Sequence, residues 1–231
     1  MSVEPSTARV LLAELAEALL PQRCIVCGRF GAALHPDCVA TLARAEPPRC
    51  LRCWAPGRSV CARCKVEPPA FEALRTPFRF EGAARRAVLE SKFMGITALL
   101  EPLTRAAADT VPPDWAVDAV VPVPLHRRRE RQRGYNQATL IAEVVARRLG
   151  VRLRSEWLKR VRATPAQAGL RAEARRENLT RAFTAESSCA GARVLLVDDV
   201  TTTGATLEAC AQALLDAGAA VTFGLAIARE D

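Results

Sequence analysis

Seven of the nine cysteines fall between Cys24 and Cys64, and six of these form Cys-x-x-Cys pairs: Cys24–Cys27, Cys50–Cys53 and Cys61–Cys64. The seventh, Cys38, follows His35 at the same spacing, so His35-Pro36-Asp37-Cys38 makes a fourth pair. Four pairs offer eight ligands, the number that two tetrahedral zinc ions take. The i, i+3 spacing lets a tight turn aim two side chains at one ion, and Gly28 after Cys27 suits the left-handed conformation of such a turn. A segment with so few large apolar residues has little core of its own without metal. Disulfides belong to oxidising compartments. The first residues carry Glu4, Glu14 and Glu17 and no basic leader, which points to the cytoplasm. A redox Cys-x-x-Cys stands alone beside a βαβ unit, not in a series. An iron–sulfur cluster is allowed by ligand type, but four evenly spaced pairs fit zinc better. The expectation is two structural zinc ions, neither with a position left open for water. Sequential grouping puts Cys24, Cys27, His35 and Cys38 on one ion and Cys50, Cys53, Cys61 and Cys64 on the other, closing short loops. An interleaved grouping also fits the spacing. Cys210 lies on the apolar face of an expected helix and reads as core.

The rest of the chain changes character. A helical pattern at Val10–Leu20 stops at Pro21, and Pro68-Pro69 closes the cysteine-rich segment. The expected division is therefore an N-terminal helix and metal module over 1–69, followed by a second domain over 70–231. Phe78–Phe80 alternates like a short strand, and Ala83–Phe93 and Leu99–Ala108 read as helices. Then come a strand at Val117–Val123, a helix at Asn136–Leu149 and a short strand at Leu158–Val161. A polar stretch over Arg162–Thr180 follows. A strand at Arg193–Val197, a helix at Thr206–Ala217 and a strand at Val221–Ala228 complete the pattern. Strands alternating with helices imply an α/β fold, a parallel sheet with helices on both faces. Ligands of such sheets bind at the C-terminal ends of the strands. No run approaches the roughly 18 apolar residues that span a bilayer, so no membrane insertion is expected.

The sharpest motif is Val194-Leu-Leu-Val-Asp-Asp-Val-Thr-Thr-Thr-Gly-Ala-Thr206. An apolar strand delivers Asp198 and Asp199, and a hydroxyl-rich loop leads into a helix. Backbone amides of that loop, the helix start and the hydroxyls of Thr201, Thr202, Thr203 and Thr206 form a nest for one phosphate. Gly204 permits the backbone turn, and Ala205 belongs to the same binding loop, ahead of the helix that begins at Thr206. Two carboxylates would repel a phosphate but suit two sugar hydroxyls. The ligand implied is a sugar 5-phosphate with a cis-diol. Neither a Walker loop nor Gly-x-Gly-x-x-Gly occurs.

This run resembles the phosphoribosyl diphosphate (PRPP) signature of type I phosphoribosyltransferases. In that family the paired acids bind the ribose hydroxyls and the loop binds the 5-phosphate. Pro122-Val-Pro-Leu125, Arg133-Gly-Tyr-Asn-Gln137, the zinc knuckles, and Gln167, Arg175, Asn178 and Phe183 together resemble the ComF family of competence-associated proteins. The resemblance covers almost the whole chain. It implies a double zinc ribbon fused to a type I phosphoribosyltransferase-like domain, and a role in DNA uptake in some bacteria. Two departures stand out. His35 replaces a cysteine found in many relatives, and Ser91-Lys92-Phe93 replaces the more usual Leu-Lys-Phe.

Charge adds a partner class. Arginine supplies 30 of the 33 basic residues, and Trp115–Phe183 holds 16 basic against 6 acidic residues. Such a region favours phosphates, nucleotides or nucleic acid. If the chain is an enzyme, a nucleophile displaces diphosphate at ribose C1, with Asp198 and Asp199 as catalytic acids and Mg²⁺ accompanying PRPP. Arg127, Arg128, Arg129, Arg131 and Arg133 lie in the loop expected after the Val117–Val123 strand, the natural diphosphate site, and Arg133 beside Gly134 is the favoured diphosphate contact. The polar stretch reads equally as a lid or as a surface loop. The alternative is a non-catalytic module that senses PRPP or ribose 5-phosphate and binds single-stranded DNA. Aromatic residues make up only 5% of the chain, which weakens that alternative.

Overall fold

The computed structural model describes residues 22–162 and 182–231. The expected helix at Val10–Leu20 lies outside them, as do Gln167, Arg175, Asn178 and most of the polar stretch. Two compact units are present, with the division between Thr41 and Leu42. Cys50–Cys64 thus shares a unit with the sheet, whereas the sequence pattern had grouped it with the first two knuckles in 1–69.

In the first unit, the chain turns at Cys24–Gly28, where the Gly28 amide donates to Cys24 O. Arg23 and Phe30 bridge as a minimal antiparallel pair. A short helix follows, α1 (Pro36–Ala40), with Pro36 in its first turn.

In the second unit, a one-turn helix, α2 (Ala62–Val66), carries the last knuckle. Strands β1 (Leu74–Arg75) and β2 (Phe78–Arg79) precede helix α3 (Gly82–Met94) and helix α4 (Leu100–Ala108). Next come β3 (Ala119–Pro122), a seven-residue helix α5 (Arg127–Arg133) and α6 (Gln137–Leu149). The unit continues with β4 (Arg152–Leu153), β5 (Leu158–Arg160), β6 (Phe183–Ala185), β7 (Arg193–Thr201), α7 (Ala205–Asp216) and β8 (Val221–Arg229). The sheet runs β1-β8-β7-β3-β4, with β2 also on β8, and every pairing in it is parallel. The two central strands are fully apolar over Val194–Val197 and Ala119–Val121, as strands covered on both faces must be. Helix α6 packs on β3 and β7, α4 packs on α6, and α7 packs on β7, β8 and β6.

Three details differ from the sequence pattern. The strand expected to stop at Val197 continues to Thr201, because β8 runs equally far and pairs Asp198 with Ala226 and Thr201 with Arg229. The expected Leu158–Val161 strand does not join the sheet; it forms an antiparallel hairpin with β6. The arginine-rich segment after β3 is a helix and not a loop. It is capped by the His126 side chain, which accepts from Arg128 N at 3.2 Å. Among the described residues no helix is long and apolar enough to cross a membrane.

Chain order reverses between β3 and β7. The chain leaving β3 goes to β4 on one side, and the chain leaving β7 goes to β8 on the other. The crevice outside that reversal is where open parallel sheets bind ligands.

Candidate functional site

Both acids of the motif lie at the C-terminal end of β7, beside the reversal. Successive strand residues face opposite sides of a sheet. Asp199 is 8% exposed and meets Lys92 of α3, with Nζ 2.9 Å from Oδ2. Burial, and then the Asp199 charge beside it, pushes the Asp198 carboxyl up to about 8, despite the opposing pull of a backbone amide and Lys92. The same amides bind the acids locally: Asp199 N donates to Asp198 Oδ1 and Val200 N to Asp199 Oδ1.

Thr201 is the last strand residue and is 4% exposed. The loop proper is Thr202, Thr203 and Gly204. Among the described residues these three amides donate no hydrogen bond, which leaves three donors clustered at the start of α7. Gly204 caps that helix at φ +83°, a conformation glycine adopts without strain. A Cβ there would sit 3.5 Å from Phe71 Cζ, an ordinary contact, so the φ angle and not space demands glycine. The Thr203 hydroxyl accepts from Ala205 N at 3.3 Å, and Thr206 lies in the first turn. On the outside of the loop, Arg63 Nη1 donates to Thr203 O at 2.9 Å.

The Arg133–Gln137 motif is used residue by residue. Arg133 Nη1 donates to Gln137 Oε1 at 2.6 Å. Gly134 ends α5 at φ +86°. The Tyr135 hydroxyl donates to Ser91 O. Asn136 caps α6 through Ala138 N and donates to Val123 O, tying the helix to the loop after β3. Gln137 donates to Ser91 Oγ at 2.8 Å. Two cavities flank α5. One of about 500 Å³ has Pro122, His126, Arg127, Glu130 and Arg160 in its wall. The other, of about 670 Å³, has Lys92, Arg129, Arg133, Tyr135, Phe80 and Phe93 in its wall. Lys92 is the functional candidate that sequence patterns missed. Its signal was the Ser-Lys-Phe triplet, singled out above but given no role.

The cysteine clusters fit metal. Cys24, Cys27, His35 and Cys38 form one group and Cys50, Cys53, Cys61 and Cys64 another, with the ligand atoms of each group within 4.8 Å of one another. A tetrahedral zinc about 2.3 Å from each sulfur sets sulfurs about 3.8 Å apart. Cys53 Sγ and Cys61 Sγ are 3.7 Å apart, and Cys27 Sγ lies 3.4 Å from His35 Nδ1. His35 Nε2 faces Phe30 O at 3.2 Å, so the tautomer with its proton on Nε2 leaves Nδ1 for the ion. Burial opposes ionisation of Cys24 and Cys50, but turn amides outweigh it and bring each thiol down to about 6, toward the ligating thiolate. Cys189 and Cys210 are fully buried and far in sequence from either group. Burial pushes both thiols up, as inert core requires.

The family model of the phosphoribosyl transferase domain matches residues 136–230. The chain is 34% identical over 215 residues to the DNA utilization protein YhgH of Salmonella typhi, covering 87% of this chain and 94% of that one. It is 41% identical over 104 residues to competence protein F of Haemophilus influenzae, covering 44% and 45%. It is 28% identical over 179 residues to competence protein ComFC of Bacillus subtilis, covering 71% and 69%. A parallel-sheet phosphoribosyltransferase-like domain preceded by two knuckle clusters, with a 34% identical relative that spans 87% of the chain, leaves one assignment: the chain belongs to the ComF family of competence-associated proteins.

Proposed function

We propose that the loop after β7 binds the 5-phosphate of PRPP or ribose 5-phosphate, and that Asp198 and Asp199 accept hydrogen bonds from the ribose hydroxyls. The observation that carries this reading is the cluster of three amides at Thr202–Gly204 that donate to none of the described residues, set at the start of α7 beside the paired acids. In this reading residues 70–231 carry the ligand chemistry and residues 1–69 carry two structural zinc ions, and the protein works in the cytoplasm.

The reaction is phosphoribosyl transfer. The C1–O bond to diphosphate breaks with its electron pair leaving on the diphosphate, a bond from C1 to the acceptor nucleophile forms, and the nucleophile gives up its proton to solvent. Positive charge develops on the sugar, and a carboxylate such as Asp199 stabilises it. Arg133 retains guanidinium donors beyond the one given to Gln137 and offers them to the leaving diphosphate. Mg²⁺ accompanying PRPP would supply further neutralisation of the diphosphate charge beside Arg133. The relatives' names support a place in DNA uptake or use.

A second reading, a single-strand-binding module, draws on one observation. The larger cavity sets Phe80, Phe93 and Tyr135 among Lys92, Arg129 and Arg133, and Phe93 is 75% exposed. Stacking aromatics among cations suit single-stranded nucleic acid.

Calorimetry with PRPP and ribose 5-phosphate tests the first reading. Gly204→Val strains the turn by about 1–3 kcal/mol and is expected to abolish measurable binding of both. Asp199→Asn is expected to lose pyrophosphate release more than affinity, since it also removes a charge that repels phosphate. Equal affinity in wild type and Gly204→Val puts the ligand elsewhere. Salt-sensitive DNA binding with no pyrophosphate release from any base tried favours the module.

A further inference from the structure

Lys92 sits in the last turn of α3, and three bonds fix the backbone around it. The Tyr135 hydroxyl and the Gln137 amide hold Ser91 at its carbonyl and its hydroxyl, and Gln137 also reaches Val88 O at 3.4 Å. Ser91 is fully buried and Gln137 is 2% exposed. A buried amide is costly unless its hydrogen bonds are made, and Gln137 makes them at both ends, to Ser91 through Nε2 and from Arg133 through Oε1. If only packing were needed here, an apolar residue of similar size would serve. The polar chain instead joins the favoured diphosphate contact, Arg133, to the helix end that aims Lys92 at Asp199.

The surroundings say what Lys92 is for. The Lys92 side chain keeps 27% of its surface exposed while the side chain of Asp199 keeps 12%, so the lysine reaches the acid and still faces open space. That space is the 670 Å³ cavity, where Arg129 and Arg133 add two more cations and, among the described residues, no carboxylate lines the wall. Three cations around one cavity, which Val200 of β7 also borders, suit an anion. An ammonium is a compact charge with three donors, so it can turn from a carboxylate to a phosphate without moving its backbone.

Resting on the phosphoribosyl reading above, we propose that Lys92 is the residue that distinguishes PRPP from ribose 5-phosphate. In the free protein it neutralises Asp199. When the sugar hydroxyls donate to Asp199, the ammonium turns to the diphosphate on C1, the one anion that PRPP has and ribose 5-phosphate lacks.

The test is calorimetry with three probes, PRPP, ribose 5-phosphate and inorganic pyrophosphate, on wild type, Lys92→Met, Lys92→Arg and the double variant Lys92→Met/Asp199→Asn. The double variant removes both charges of the pair, so it stays folded if the single change leaves Asp199 unpaired and unstable. Loss of a charge-assisted hydrogen bond predicts a PRPP and pyrophosphate affinity lower by about tenfold or more in both Met-containing proteins. Ribose 5-phosphate should change by less than about threefold in Lys92→Met, and Lys92→Arg should keep most of the PRPP preference. Equal losses for PRPP and ribose 5-phosphate would reduce Lys92 to a scaffold for Asp199 and overturn the proposal. So would a wild type that binds the two sugars equally well, while leaving the phosphate loop intact as a site. A wild type that binds neither sugar removes the phosphoribosyl reading, and the role of Lys92 with it.

Discussion

The two metal clusters share a ligand spacing and differ in what they hold. In the first, the described bonds are those of a self-contained knuckle: Cys24 N to Arg29 O, Gly28 N to Cys24 O, and His35 against Phe30 O. The second is built into the unit that carries the sheet. Arg229, at the end of β8, donates to Cys53 O at 2.9 Å, and Leu74 N of β1 donates to Arg52 O at 2.7 Å. Arg49 grips both carboxylate oxygens of Asp231 at 2.8 Å, with its side chain 7% exposed. Arg63 lies between Cys61 and Cys64 and donates to Thr203 O in the loop after β7. One spacing therefore serves two ends: a knuckle bonded within itself, and a knuckle bonded to β1, β8 and the loop after β7.

Breaking each cluster separately gives the largest effect. Purified protein should carry two equivalents of zinc by elemental analysis. Cys24→Ser and Cys50→Ser should each remove one, since structural ions contribute about 10–16 kcal/mol in isolated zinc-finger peptides. The contrast lies in the ligand. Cys50→Ser should lower ribose 5-phosphate affinity sharply, because α2 no longer holds Thr203. Cys24→Ser, in the other compact unit, should leave that affinity within about twofold, as independent sites do. Equal losses would erase the distinction between the clusters.

A gentler change sharpens the same contrast. Arg63→Ala keeps both sets of ligands and removes only the bond to Thr203 O. Both zinc equivalents should remain, and ribose 5-phosphate affinity should fall by about threefold to tenfold, the scale of one ordinary hydrogen bond. No change would mean that the loop keeps its shape unaided and that the second cluster braces β8 and β1 alone.

What could be read from the sequence follows from how local each cause is. The cysteine pairs, the strand–loop–helix run at Val194–Thr206 and the helices ended by Gly95 and Gly150 depend on neighbours within a few residues, and each was legible. The Val197 end of β7 was misread because β8 prolongs the ladder, and partners distant in sequence leave no periodic mark. The short strands Leu74–Arg75, Arg152–Leu153 and Phe183–Ala185 were missed, since two or three residues carry no period. Arg127–Arg133 looked like a loop because its helix has no apolar face; the His126 cap starts it and Gly134 stops it. The Lys92–Asp199 pair joins α3 to β7 across a long stretch of chain. Only the Ser-Lys-Phe triplet hinted at it, and a triplet cannot say which acid its lysine meets. The same holds for Arg63, which reads in sequence as one more surface arginine.

The smallest effect separates the two acids of the motif. Asp198 is raised to about 8 from an ordinary carboxyl value near 3.8, first by burial and then by the Asp199 charge. A group whose value is raised on folding binds its proton more tightly in the folded chain. Its contribution is therefore fully present below about pH 4 and is lost as pH rises through about 8. Wild type should thus lose stability between these limits through Asp198, while Asp198→Asn, which mimics the protonated acid, should not. The melting temperatures of the two proteins should diverge as pH rises toward 9, with the variant a few degrees higher at the alkaline end. Because the substitution keeps the side chain's shape and leaves the Lys92–Asp199 pair in place, packing should change little. A constant gap at every pH would mean that Asp198 is ionised throughout.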